Sequence, residues 1–171
     1  YDYDAAAKVL FSKGIEKLQE RGSCLDAARL FNRALDCVVC DDCFFDSLAN
    51  FQQEILDKCD IDTNEESLFV KAIINLYLGV YDNSISACDK YIQLYGETAN
   101  ILYVKARASV LSCDYETADQ LHDEILEKFD NGTNLKVLYR GAILNEEYCK
   151  IDGLSILVQL VELAPHAFKL H

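Results

Sequence analysis

Apolar residues recur along most of the chain at spacings of three and four, the period of helices that bury one face. The alternation that marks strands is almost absent, and one Pro and seven Gly leave few breaks. The pattern predicts an all-helical fold. Within it a short stretch is copied: Leu68-Phe-Val-Lys-Ala72 returns 34 residues later as Leu102-Tyr-Val-Lys-Ala106. At the same offset Gly79-Val-Tyr81 becomes Cys113-Asp-Tyr115, Ser84 becomes Ala118, and Tyr91-Ile92 becomes Ile125-Leu126. A period of this length predicts a stack of helical hairpins, each burying its apolar face against the next.

Helix ends can be placed from capping chemistry. Thr63-Asn-Glu-Glu66 reads as a capping box with Thr63 as N-cap. Gly96 followed by Thr98 predicts a stop and a new N-cap, and Asp82, Asp114 and Asp152 stand ahead of apolar-periodic segments as further N-cap candidates. Two antiparallel helices approach to about 8–10 Å only where the crossing point carries little side chain. Ala72 against Ser84, and Ala106 against Ala118, are predicted to meet there. Phe44, Leu48, Phe51 and Ile55 form an apolar stripe that predicts an extra helix over about 42–58.

Taken together, these residues resemble the tetratricopeptide repeat family. Four units thread onto the chain at about 8–41, 65–98, 99–132 and 134–167, with Ala27, Phe31 and Ala34 carrying the match in the first, and the extra helix following that unit. In the last, Pro165 falls where the family most often has a proline. The resemblance implies a right-handed α-α superhelix of about nine helices over residues 1–171. It also implies a concave surface, lined by the first helix of each unit, that takes a peptide or a partner helix. Here that surface would be Phe69, Ile73, Leu76 and Tyr77, then Tyr103, Arg107, Val110 and Leu111, then Leu138 and Ala142. Phe69, Ile73, Tyr77, Tyr103, Arg107 and Leu138 are the candidate partner-binding residues. A second reading makes Phe69, Leu76, Val110 and Leu111 core, covered by the extra helix or by packing within the array. The family's two-carboxylate clamp wants cations and amides where this chain has Ser12, Glu16, Asn100 and Val104, which argues against clamp-type chaperone binding.

Charge narrows the choice of partner. A net charge of −13, from 16 basic and 29 acidic residues, repels nucleic-acid phosphates and anionic membrane surfaces and favours a partner with basic flanks. The apolar runs Ala72–Leu78 and Leu154–Leu163 are interrupted by Asn75, or by Gln159 and Glu162, and fall short of the roughly 18–20 residues a spanning helix needs. No secretory signal opens the chain. With no Met, it reads as a processed product or a fragment of a larger protein.

Candidate chemistry is sparse. Cys37-Val-Val-Cys40-Asp-Asp-Cys43 has spacing that suits zinc, although no second CxxC pair accompanies it, and structural or surface thiols are the plainer reading. Of the eight cysteines, Cys88, Cys113 and Cys149 fall at repeat positions that pack or turn a helix pair, and a domain of this size needs no disulfide staples, which predicts a reducing intracellular compartment, cytoplasmic or nuclear. Asp60 to Glu66 imitates half of a calcium loop, but Glu65 replaces its glycine and Lys71 its final Glu. Three scattered histidines make no catalytic constellation. The expectation is a non-enzymatic scaffold without cofactor, binding a protein or peptide. The alternatives are a self-associating subunit, a homodimer included, and a regulatory segment of a larger enzyme.

Overall fold

A computed structural model describes residues 3–20, 23–36 and 64–129. These form six helices and, among the described residues, no strand: α1 (Tyr3–Gln19), α2 (Cys24–Asp36), α3 (Glu65–Tyr77), α4 (Tyr81–Tyr95), α5 (Ala99–Leu111) and α6 (Tyr115–Phe129). They pair as three hairpins, α1 with α2, α3 with α4, and α5 with α6. The hairpins then stack, α2 against α3, α4 against α5, and α3 beside α5. The extra helix expected over 42–58 and the unit expected over 134–167 lie outside the described residues.

The core runs unbroken through all six helices. In the first hairpin Phe11 and Phe31 stack with ring centroids 4.8 Å apart, and Phe11 also meets Tyr77 of α3 edge-on at 5.4 Å. Gly14 makes the first pairing possible. A Cβ there would lie 2.7 Å from Phe31 Cδ1, and closer still to Cε1. In the second hairpin the buried Ser84 hydroxyl donates to the Ala72 carbonyl at 2.7 Å, so the expected crossing is present. In the third, Ala106 and Ala118 are both fully buried. Polar ties join the hairpins: Asn100 Nδ2 donates to Asn32 Oδ1 at 2.9 Å, and Lys105 pairs with Asp89 at 2.7 Å.

Helix ends follow the capping rules with two corrections. The N-cap of α3 is Asn64, not Thr63: Asn64 Oδ1 accepts from the Glu66 and Ser67 amides at 2.8 and 3.3 Å, satisfying two otherwise orphaned donors. Asp82 lies inside the first turn of α4, where its charge complements the helix dipole, and Val80 occupies the cap without a side-chain bond. Thr98 and Asp114 do cap their helices, accepting from the Ile101 and Thr117 amides at 3.2 Å each.

Both inner hairpins turn through one motif. After α3, the Val80 amide donates to the Asn75 carbonyl and Gly79 to Leu76, with Gly79 at φ +76°. After α5, Asp114 donates to Ser109 and Cys113 to Val110, with Cys113 at φ +66°. These are Schellman turns, which need one left-handed residue, and a side chain there costs about 1–2 kcal/mol. Cys113→Gly is expected to stabilise the protein by about 1 kcal/mol and Gly79→Ala to destabilise it by a similar amount, both read from denaturant midpoints. A second substitution tests the first hairpin. Gly14→Ala drives a methyl into a ring buried on all sides, and a loss of about 1–3 kcal/mol is expected in the same titration.

Candidate functional site

The side of the array expected to take a partner is built from α1, α3 and α5, the first or A helix of each hairpin. Both inner members are apolar nearly all round. On α3 every residue from Ser67 to Tyr77 is buried except Lys71, and on α5 every residue from Ile101 to Val110 is buried except Lys105. A helix with apolar residues on all faces is one enclosed by neighbours. Phe69, Ile73, Tyr77, Tyr103 and Arg107 are accordingly only 1–7% exposed. They do not form a solvent-facing groove. Two of them make ring contacts within the array, Phe69 with Tyr91 of α4 at 6.4 Å and Tyr77 with Phe11 of α1 at 5.4 Å. Leu138 lies outside the described residues, as do Cys37, Cys40 and Cys43.

The signal for this burial lay in the chain itself. Leu68-Phe-Val70 and Ala72-Ile-Ile74 leave no polar face between them, whereas a helix bordering a groove keeps a polar flank. Among the described first helices of the hairpins, only α1 shows such a flank. Val9 is 53% exposed, Ser12 is half-buried and Glu16 is exposed, and in the repeat register Ser12 and Glu16 correspond to Phe69 and Ile73. The A-helix side is thus open at the first hairpin and closed over α3 and α5.

A second surface went unnoticed in the sequence because two helices must meet to make it. Lys17 near the end of α1 and Asp26, Arg29, Leu30, Asn32 and Arg33 of α2 line an open cavity of about 670 Å3. Arg29 and Arg33 stand one turn apart on the same face.

Among the described residues, no group of three or more His, Cys, Asp or Glu is placed to hold a metal. No helix among them is long and apolar enough to cross a membrane. Cys88 is a fully buried free thiol whose pKa is pushed up, first by burial and then by the adjacent Asp89, which keeps it protonated and unreactive. Burial likewise raises the Tyr91 phenol, which donates to Glu65 at 2.6 Å and ties α4 to the start of α3. Comparison with protein-family models, with curated proteins and with solved structures finds no match to the chain.

His122 on α6 is buried, and its Nε2 has no hydrogen-bond partner among the described residues. Burial lowers its pKa from the ordinary 6.5, outweighing Asp123 and Asp119, which act in the other direction. A lowered folded-state value means that the unfolded chain takes up the proton first as pH falls. Stability contributed by the neutral ring is therefore complete above 6.5 and is lost below it. Urea titrations across that range are expected to show the wild type losing stability towards acid relative to His122→Leu. Parallel curves for the two proteins would remove His122 as the cause.

Proposed function

We propose that this chain is a non-enzymatic protein-interaction module, a tetratricopeptide-like superhelical array that carries a partner peptide or helix on its A-helix side. The observation that carries the reading is the order of stacking: α2 against α3, α4 against α5, and α3 beside α5, so that the first helices of consecutive hairpins run along one side. That arrangement, with the 34-residue register of Leu68–Ala72 and Leu102–Ala106, supports the repeat reading. The exposed part of that side is the α1 flank of Val9, Ser12 and Glu16, with Gln19 and Glu20 beyond it. The chain's net charge of −13 favours basic residues flanking the partner's apolar anchor. Phe69, Ile73, Tyr77, Tyr103 and Arg107 enter the site only by holding α1 and its neighbours in place, or by exchanging their present contacts for a partner's. A cytoplasmic or nuclear setting suits the free thiols of Cys88 and Cys113.

A second reading, the self-associating subunit, has its own support. Leu94, Tyr95 and Phe129 are 51%, 43% and 37% exposed at the ends of α4 and α6, and Tyr95 and Phe129 are equivalent in the repeat. Exposed apolar side chains that recur with the repeat are the kind of surface that copies of a chain bury against each other.

Both readings are open to one pair of experiments. Affinity capture from cell lysate should retain a protein that is lost from Val9→Asp/Glu16→Lys, a variant altered only at exposed or partly exposed positions and so expected to fold. Capture of the same protein by both forms would remove the α1 flank from the site. A mass measured across a dilution series decides the alternative: a dimer that persists, and that Leu94→Glu/Phe129→Glu dissolves, replaces the external partner with a second copy.

A further inference from the structure

We infer that the edge of the array at the ends of α4 and α6 pairs with the same edge of a second copy across a two-fold axis. Tyr95 of each copy lies on Phe129 of the other, and Lys128 of each stands against Glu97 of the other. The pairing rests on the self-associating reading above and adds to it a symmetry, a register and a set of ion pairs.

One contact assembles this edge. Lys128, next to the last residue of α6, donates to Glu97, just beyond α4, at 2.6 Å, and also holds Glu124 on its own helix. That bond brings the end of α6 beside the end of α4 and so puts Phe129 on the same edge as Leu94 and Tyr95. All three side chains are exposed there. Tyr95 is seated from within, its ring centroid 5.6 Å from that of Tyr91, and its outer side remains in solvent.

The two halves of the edge are one repeat apart. Leu94 and Tyr95 occupy the positions that Lys128 and Phe129 occupy 34 residues later. A two-fold axis passing between the two helix ends exchanges these positions, so that each ring of one copy meets the other ring of its mate. Leu94 then lies under the aliphatic stem of Lys128 from the second copy, whose ammonium is carried on towards Glu97. Ring pairs of this kind add to the apolar area they bury.

Charge fits the same operation. Within one copy the Lys128 and Glu97 side chains are 44% and 32% exposed, so each keeps a side open beyond their internal pair. The axis brings two such pairs together with opposite signs facing, as a square of alternating Lys and Glu. An exposed pair alone contributes little, but four alternating charges bordering an apolar contact fix its register. A second copy supplies ring, cation and anion in the order this edge requires, which singles it out as the occupant.

The test uses the full chain in sedimentation equilibrium over a dilution series, with thermal melts alongside. The wild type is expected to form a dimer. Lys128→Glu and Glu97→Lys, each of which sets like charges against each other across the axis, are expected to weaken it by about tenfold or more. Mixed in equal amounts, the two single variants should pair with each other, because each then meets an opposite charge at both places. Damage confined to one chain's own Lys128 to Glu97 contact cannot be repaired by mixing, which separates lost pairing from lost folding. The chain carrying both changes keeps an internal pair and is expected to dimerise as the wild type does. A wild type that is monomeric at every concentration overturns the proposal together with self-association and leaves the edge to another occupant. A dimer that Leu94→Glu/Phe129→Glu dissolves, but that both single charge variants leave intact or that mixing does not restore, overturns this pairing while self-association stands.

Discussion

The Ser84 hydroxyl donates to the Ala72 carbonyl at 2.7 Å, inside the protein and from one helix to the next, and it can do so because Ala72 has only a methyl group at the crossing. Everything outward of that point depends on it. When two helices close this far, their large residues are pushed beyond the hairpin. Tyr77 reaches Phe11 of the first hairpin, and the buried faces of α3 and α5 meet the neighbouring hairpins. The first hairpin reaches the same end by another route, since Gly14 removes the side chain altogether and the Phe31 ring takes its place. Small residues at the crossings are thus what make the core continuous.

The same constraint explains which parts of the molecule could be read from the sequence. Crossing residues and turn residues are local and come in a fixed register, so Ala72 with Ser84, the stop at Gly96 and the caps at Thr98 and Asp114 were all legible. The cap of α3 was misplaced by one residue because Thr63 and Asn64 are both good N-caps, and only backbone geometry chooses between them. Choosing between groove and core for Phe69 was harder: both readings were open, and although Leu68-Phe-Val70 and Ala72-Ile-Ile74 carry a signal for burial, the outcome also depends on how many helices surround α3. The cavity between α1 and α2 was harder still, because Lys17 and Arg33 come together only through the pairing of α1 with α2.

Charge and packing are divided between different helices. The inner helices α3 and α5 each leave only one cation partly exposed along the buried stretch, Lys71 and Lys105, and the latter is held by Asp89 of α4. The acidic excess is carried outside, on exposed positions such as Asp82, Asp89, Glu116 and Asp123. Among the described residues, a partner approaching from solvent therefore meets charge over most of the surface, and large exposed apolar side chains at Val9 of α1, at Leu25 of α2 and at the ends of α4 and α6. Steering by charge and anchoring by apolar contact are then separate steps at separate places.

The second and third hairpins share one frame, and comparing them position by position shows how much sequence change that frame absorbs. Gly79 becomes Cys113, which keeps the left-handed turn with both its hydrogen bonds at a backbone cost of about 1–2 kcal/mol. Asn75, whose amide donates to the Lys71 carbonyl, becomes Ser109, whose buried hydroxyl finds no partner among the described residues. Cys88, a thiol at home in an apolar site, becomes His122, whose Nε2 is likewise unsatisfied. A buried polar group left without a partner costs about 1–3 kcal/mol, so all three changes act in the same direction. At these three positions the third hairpin carries costs that the second avoids, although their backbones follow the same plan.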